Sequence, residues 1–160
     1  MKEWYSNKKV GIYFSEEPHV EVREFHYNPE LSQEENKKIK KNIEKYPFEL
    51  MNDVLVEIVD MKTQVHYHFS MFKNFCYDGA SIPDEMLIRK IIGANTDNRF
   101  RTASLVHDVL CKNKNYIDDN RKLSTEVFNA LLEATQVNAF KRWLMKHSVD
   151  NFQKFCGWGC

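Results

Sequence analysis

A chain of 160 residues that is 42% hydrophobic and 13% aromatic can bury a real core, which excludes a disordered chain. Lys plus Arg equals Asp plus Glu at 23 each, so no net field draws the chain to nucleic acid or to an anionic membrane. No apolar run approaches the roughly 20 residues of a membrane span. The opening MKEWYSNKKV lacks the apolar stretch of a signal peptide, and the expectation is synthesis in a cytoplasm.

Four cysteines (Cys76, Cys111, Cys156, Cys160) are too scattered for a disulfide framework, so reduced thiols are expected. The terminal CGWGC has a spacing that suits a metal, yet no second Cys or His pair completes four ligands. A glycine-relaxed tail packing Trp158 is the plainer reading.

In chain order, residues 18 to 27 (PHVEVREFHY) alternate as a half-buried strand does. Residues 28 to 47 carry only the thin apolar stripe Leu31, Ile39, Ile43 and Tyr46, which predicts a charged, solvated helical insertion ended by Pro47. VLVEIVD (54 to 60) and QVHYHFSMF (64 to 72) predict a hairpin. His66 and His68 share one strand face, where they could take a metal. No carboxylate or Cys stands beside them in sequence, and a solvated sheet face is the better reading.

FCYDGASIPDEM (75 to 86) reads as the end of an apolar strand followed by a turn. Gly79 supplies the turn, and Ser81, Pro83 and Asp84 start a helix that Gly93 stops. Three more helices are expected over 99 to 112, 119 to 136 and 138 to 155. Strands first and helices after argue for a single α+β domain over residues 1 to 160, a small antiparallel sheet in the N-terminal half followed by a bundle of three to four helices.

The chemistry concentrates in RTASLVHDVLC (101 to 111). Phe100, Ala103, His107 and Leu110 fall on one helical stripe, which buries His107, and a buried imidazole needs a partner. Glu126, bordering the apolar stripe of the next helix, could hold one ring nitrogen and leave the other for a substrate, water or metal, as a general base requires. Asp78, from the turn, and Asp108 would complete a mixed nitrogen and oxygen site for a divalent metal or a metal-free acid–base pair. Gly79, Ala80 and Ser81 would let backbone amides approach an anion or would serve the turn. The structural alternative stays open: a buried His107 to Glu126 pair, Asp78 closing its own turn, and Asp108 paired with Arg101 or Arg121.

FCYDGASIP, TASLVHDVLC, NRKLSTEVFNALL and VDNFQKFCGWG resemble, in that order, the blocks of a family of small uncharacterised proteins of bacteriophages and prophages. An Asp-Gly-Ala-Ser-Ile-Pro turn and a later HDxLY helix mark that family. The resemblance covers residues 54 to 159 and implies a phage setting. Cys111 stands where the family's usual Tyr would be, and Glu126 where an Asp is usual. Residues from 28 look like an insertion that other members do not need. By analogy alone, the His-Asp pair with a carboxylate on the next helix also looks like secreted phospholipases A2, which would make His107 the base, Asp108 a metal ligand and Glu126 the orienting group.

Two functions are therefore expected. One is a virion or tail-associated accessory protein whose partners are phage structural proteins. The other is a hydrolase, His-based or metal-assisted, acting on cell-envelope, lipid or small phosphorylated material. The expected location is the host cytoplasm during synthesis, with assembly into the virion under the first reading.

Overall fold

The computed structural model describes residues 1–79 and 98–155. The helix expected after the turn, with Ala80, Ser81, Pro83 and Gly93, lies outside the described residues, as do Cys156 and Cys160. Within them the chain is α+β: two antiparallel sheets in the N-terminal half, then helices.

The larger sheet has the order β1 (Lys2–Ser6), β2 (Val10–Phe14), β5 (Val54–Asp60), β6 (Val65–Met71). The first two strands were not anticipated, although VGIYF alternates as a strand should. Their turn is closed by Asn7, whose side-chain oxygen accepts from the amides of Lys9 (2.8 Å) and Val10 (3.1 Å). Val10, Ile12, Phe14, Val54, Val56, Ile58, Phe69 and Met71 point inward and are buried. The period of two sends Gly11, Tyr13, Glu57, His66 and His68 to the other face. A side chain at Gly11 would begin 3.1 Å from the Tyr13 ring, so glycine leaves room for that ring to lie over the strand.

The smaller sheet joins β3 (Val20–Val22), β4 (Phe48–Leu50) and β7 (Cys76–Tyr77). Only three residues of the strand expected over 18 to 27 pair. The Arg23 guanidinium turns to the end of the first helix, donating to Tyr46 O at 3.0 Å and Asn42 Oδ1 at 3.1 Å. That helix, α1 (Gln33–Lys45), is capped by Ser32 and Glu35 reciprocally and is largely exposed. Its buried residue, Asn36, is satisfied by the preceding loop through Asn28 and Leu31.

Helices α2 (Asn98–Lys112), α3 (Arg121–Ala134) and α4 (Ala139–Phe155) follow, with a 3-10 turn at Lys114–Ile117. Helix α3 packs between α2 and α4 and against β1 and β2. Phe100, Leu105, Leu110, Val127 and Leu131 join the inward sheet residues in one core. Each such side chain contributes roughly 1.5 to 3 kcal/mol on burial. Thr135 ties the end of α3 to the start of α2, its hydroxyl donating to Arg99 O at 2.7 Å.

Candidate functional site: a carboxyl pair between a turn and a helix

Tyr77 ends β7 inside the core, and its hydroxyl donates to the Arg101 carbonyl of α2 at 3.1 Å. This latch brings the next residue, Asp78, over the same helix. Gly79 follows with φ 86°, the left-handed turn position expected of it. The Asp78 side chain is exposed, while Asp108, about two turns along α2 from the latch, keeps 18% of its side-chain surface. The two carboxyl groups are hydrogen-bonded to each other.

Burial, the adjacent Asp78 charge and the Asp78 hydrogen bond together hold the Asp108 carboxyl well above the usual carboxylate range. The Lys112 charge and the Asp78 backbone amide act in the opposite sense and are outweighed. Two carboxylates at hydrogen-bond range cannot both ionise cheaply, and the buried Asp108 is the one pushed toward its neutral form. Burial and the charge of Asp108 also push the Tyr77 phenol up, so it remains a donor. One turn before Asp108, the Ser104 hydroxyl is buried and makes no hydrogen bond.

His107 lies beside the pair, with Nδ1 3.7 Å from Asp108 Oδ1. Its partner is not Glu126. Gln153 of α4 presents its amide nitrogen to His107 Nε2 at 2.8 Å, and Thr125 of α3 donates to the Gln153 oxygen at 3.3 Å. With the amide nitrogen donating, Nε2 accepts and the imidazole proton sits on Nδ1, toward Asp108. Phe128 closes the other side of the ring at 5.3 Å between centroids.

Glu126 falls about 100° around α3 from Thr125, off the face that meets His107. Its Oε1 accepts from Lys146 at 2.7 Å and from Lys9 at 3.0 Å. Burial raises the Glu126 carboxyl, but those two lysines outweigh it and the net direction is down. The orienting role expected of Glu126 is therefore taken by a neutral amide. Of the other pairs considered, Arg121 bonds Asp150 rather than Asp108.

Cys111, one turn beyond His107, is buried with Sγ 3.5 Å from Nε2 and 3.7 Å from Nδ1. Near-equal distances to both nitrogens place the sulfur off either lone-pair direction. That geometry does not activate a thiol.

Elsewhere, the carboxylate missing beside His66 and His68 in sequence comes from the neighbouring strand. Glu57 Oε1 is 2.7 Å from His66 Nδ1 and 3.9 Å from His68 Nε2. Among the described residues, these three alone bring three potential ligand atoms of His, Cys, Asp or Glu within 4.8 Å of one another. Asp78, Asp108 and His107 do not. Gln153 and Glu57 escaped the sequence reading for one reason: each meets its partner across elements, Glu57 by strand register and Gln153 by helix packing.

The fold and this geometry can be set beside known proteins. Residues 53–149 match a family described as protein of unknown function, DUF1353, which is more than half of the chain. The chain belongs to that family. The matched segment spans β5 through most of α4 and so includes Asp78, His107 and Asp108, while α1 and the first four strands precede it. No curated protein and no solved structure matches the chain significantly. None of the described helices is long and apolar enough to cross a membrane.

Proposed function

We propose that this DUF1353 protein is a hydrolase whose water is handled by the Asp78 and Asp108 carboxyl groups. The observation that carries the reading is the hydrogen-bonded carboxyl pair, in which a buried Asp108 carboxyl, raised by burial and by its neighbour, lies behind an exposed Asp78. Environments that drive two carboxyl groups apart supply an acid and a base in one place. In the proposed step, Asp78 takes a proton from water as the water oxygen attacks an acyl or phosphoryl centre. Asp108 gives its proton to the leaving oxygen. The proton then on Asp78 passes across their hydrogen bond to Asp108, which restores the starting state. His107, fixed by Gln153, keeps its Nδ1–H directed at Asp108 and is a positioning residue in this scheme. Ester, lipid and phosphorylated substrates all present the required centre.

The test is a screen with activated carboxylic and phosphate esters, comparing wild type with Asp78→Asn and Asp108→Asn. Loss of turnover by about 100-fold or more in both variants, with folding retained, supports the reading. Turnover unchanged in both contradicts it.

A second reading keeps the phage setting: a virion or tail-associated protein in which the same residues latch strand to helix. Its observation is on α4, where Phe140 and Trp143 are 60% and 54% exposed and stack with each other, and Trp143 also meets the His147 ring at a tilt. An exposed aromatic row suits a protein partner. Co-sedimentation with purified particles of the encoding phage, lost in Trp143→Ser, is its expected outcome. A chain that stays wholly in the unsedimented fraction contradicts it.

A further inference from the structure

We propose that Glu57, His66 and His68 form a binding site for a divalent cation of the zinc class on the outer face of the four-stranded sheet, separate from the Asp78 and Asp108 pair. Strand β6 spaces the two histidines by two residues, which puts both imidazoles on one face, and β5 sets Glu57 directly opposite His68. The imidazole rings stand parallel within 23°, with centroids 6.5 Å apart.

The distances bracket those a metal would impose. A tetrahedral ion about 2.0 to 2.1 Å from each ligand holds neighbouring ligand atoms about 3.3 to 3.5 Å apart. The Glu57 to His66 distance of 2.7 Å must open slightly, and the Glu57 to His68 distance of 3.9 Å must close slightly. Each of these two changes is under an ångström, and all three ligand atoms already lie within 4.8 Å of one another, within reach of side-chain rotations. The Glu57 to His66 hydrogen bond would be given up to the cation.

The donor set selects the ion. Two imidazole nitrogens with one carboxylate oxygen suit zinc or its later transition-metal neighbours, whereas calcium and magnesium favour all-oxygen shells. Three protein ligands leave a fourth position for water, and the half-exposed imidazoles open that position to solvent. The frame is rigid where it matters, because β5 is an interior strand flanked by β2 and β6 and Glu57 is the least exposed ligand.

The test is titration of the full chain with zinc(II) alone, read by calorimetry and by thermal melting, for wild type, His66→Gln, His68→Gln and Asp108→Asn. The expected result is saturable binding in wild type with a Kd on the order of micromolar or tighter. Each histidine variant should weaken that binding by about 10-fold or more, and Asp108→Asn should leave it unchanged. Both imidazoles are exposed, so both variants should melt as wild type does without metal, and only wild type and Asp108→Asn should gain Tm with it. Absence of wild-type binding at about 100 μM zinc would overturn the proposal. Unchanged binding in both histidine variants, or loss of binding in Asp108→Asn, would overturn it as well.

Discussion

Gln153 Nε2 lies 2.8 Å from His107 Nε2, joining the middle of α2 to the last turns of α4 through two partly buried side chains. Replacing the amide by an apolar group strands a ring nitrogen of His107, while the Thr125 hydroxyl keeps its bond to Arg121 O at 3.2 Å. Gln153→Leu should therefore lower stability by about 1 to 3 kcal/mol. Chemical denaturation reads this directly, and an unchanged midpoint would show that the contact carries no stability.

The raised Asp108 carboxyl makes stability depend on pH with a definite sign. A group whose folded pKa lies above its unfolded value binds more protons when folded, so its stabilising effect is complete below the unfolded value of about 3.9 and is lost as pH rises through the folded value. Asp108→Asn keeps a neutral donor in place and removes that loss. Its Tm should exceed that of wild type by a few degrees at alkaline pH, and the difference should shrink toward zero in acid. A constant difference across pH would mean that the Asp108 carboxyl is not raised.

Glu126 has the opposite sign. Lys146 and Lys9 hold its carboxyl below the ordinary range, so the stability it contributes is present above the unfolded value and is lost as pH falls through the folded one. The site is partly exposed, and Glu126→Gln should cost about 0.5 to 1 kcal/mol at neutral pH and less in acid. Turnover at the carboxyl pair should not change, because Glu126 does not touch His107. An activity loss as large as that expected of Asp108→Asn would place Glu126 back at the site.

Tyr77→Phe removes the hydroxyl that donates to Arg101 O while keeping the buried ring. The expected cost is about 1 kcal/mol, accompanied by a drop in turnover if the latch sets the distance between Asp78 and Asp108. Tyr77→Phe with wild-type stability would remove the latch from the account.

What could be read from the sequence was what local pattern controls. The three helices after residue 98 and the hairpin of β5 and β6 follow from periodicity, and Gly79 at φ 86° follows from the turn chemistry of an Asp-Gly pair. The meeting of Asp78 with Asp108 was also within reach, since the turn and the His-Asp helix were the two polar interruptions of apolar segments. The partner of His107 was not. Glu126 borders the apolar stripe of α3 as a partner should, but a 100° step around the helix decides between Thr125 and Glu126, and helix packing sets that step. Strand β3 is shorter than its alternation predicts: beyond Val22 the Arg23 amide still donates to Pro47 O at 2.8 Å, and past Pro47 the neighbouring chain is already the end of α1 and offers no further ladder. The first hairpin was missed because its short strands are interrupted by the charged Asn7–Lys9 turn.

The most direct measurement is a pH titration of the Asp108 side-chain carboxyl carbon by NMR, in wild type and in Asp78→Asn. An Asp108 carboxyl raised by burial and by its neighbour predicts that Asp108 titrates well above about 4 in wild type and shifts down, without reaching the ordinary value, once the Asp78 charge is removed while burial remains. Titration of Asp108 near 4 in both proteins would contradict the carboxyl pair as an acid–base site.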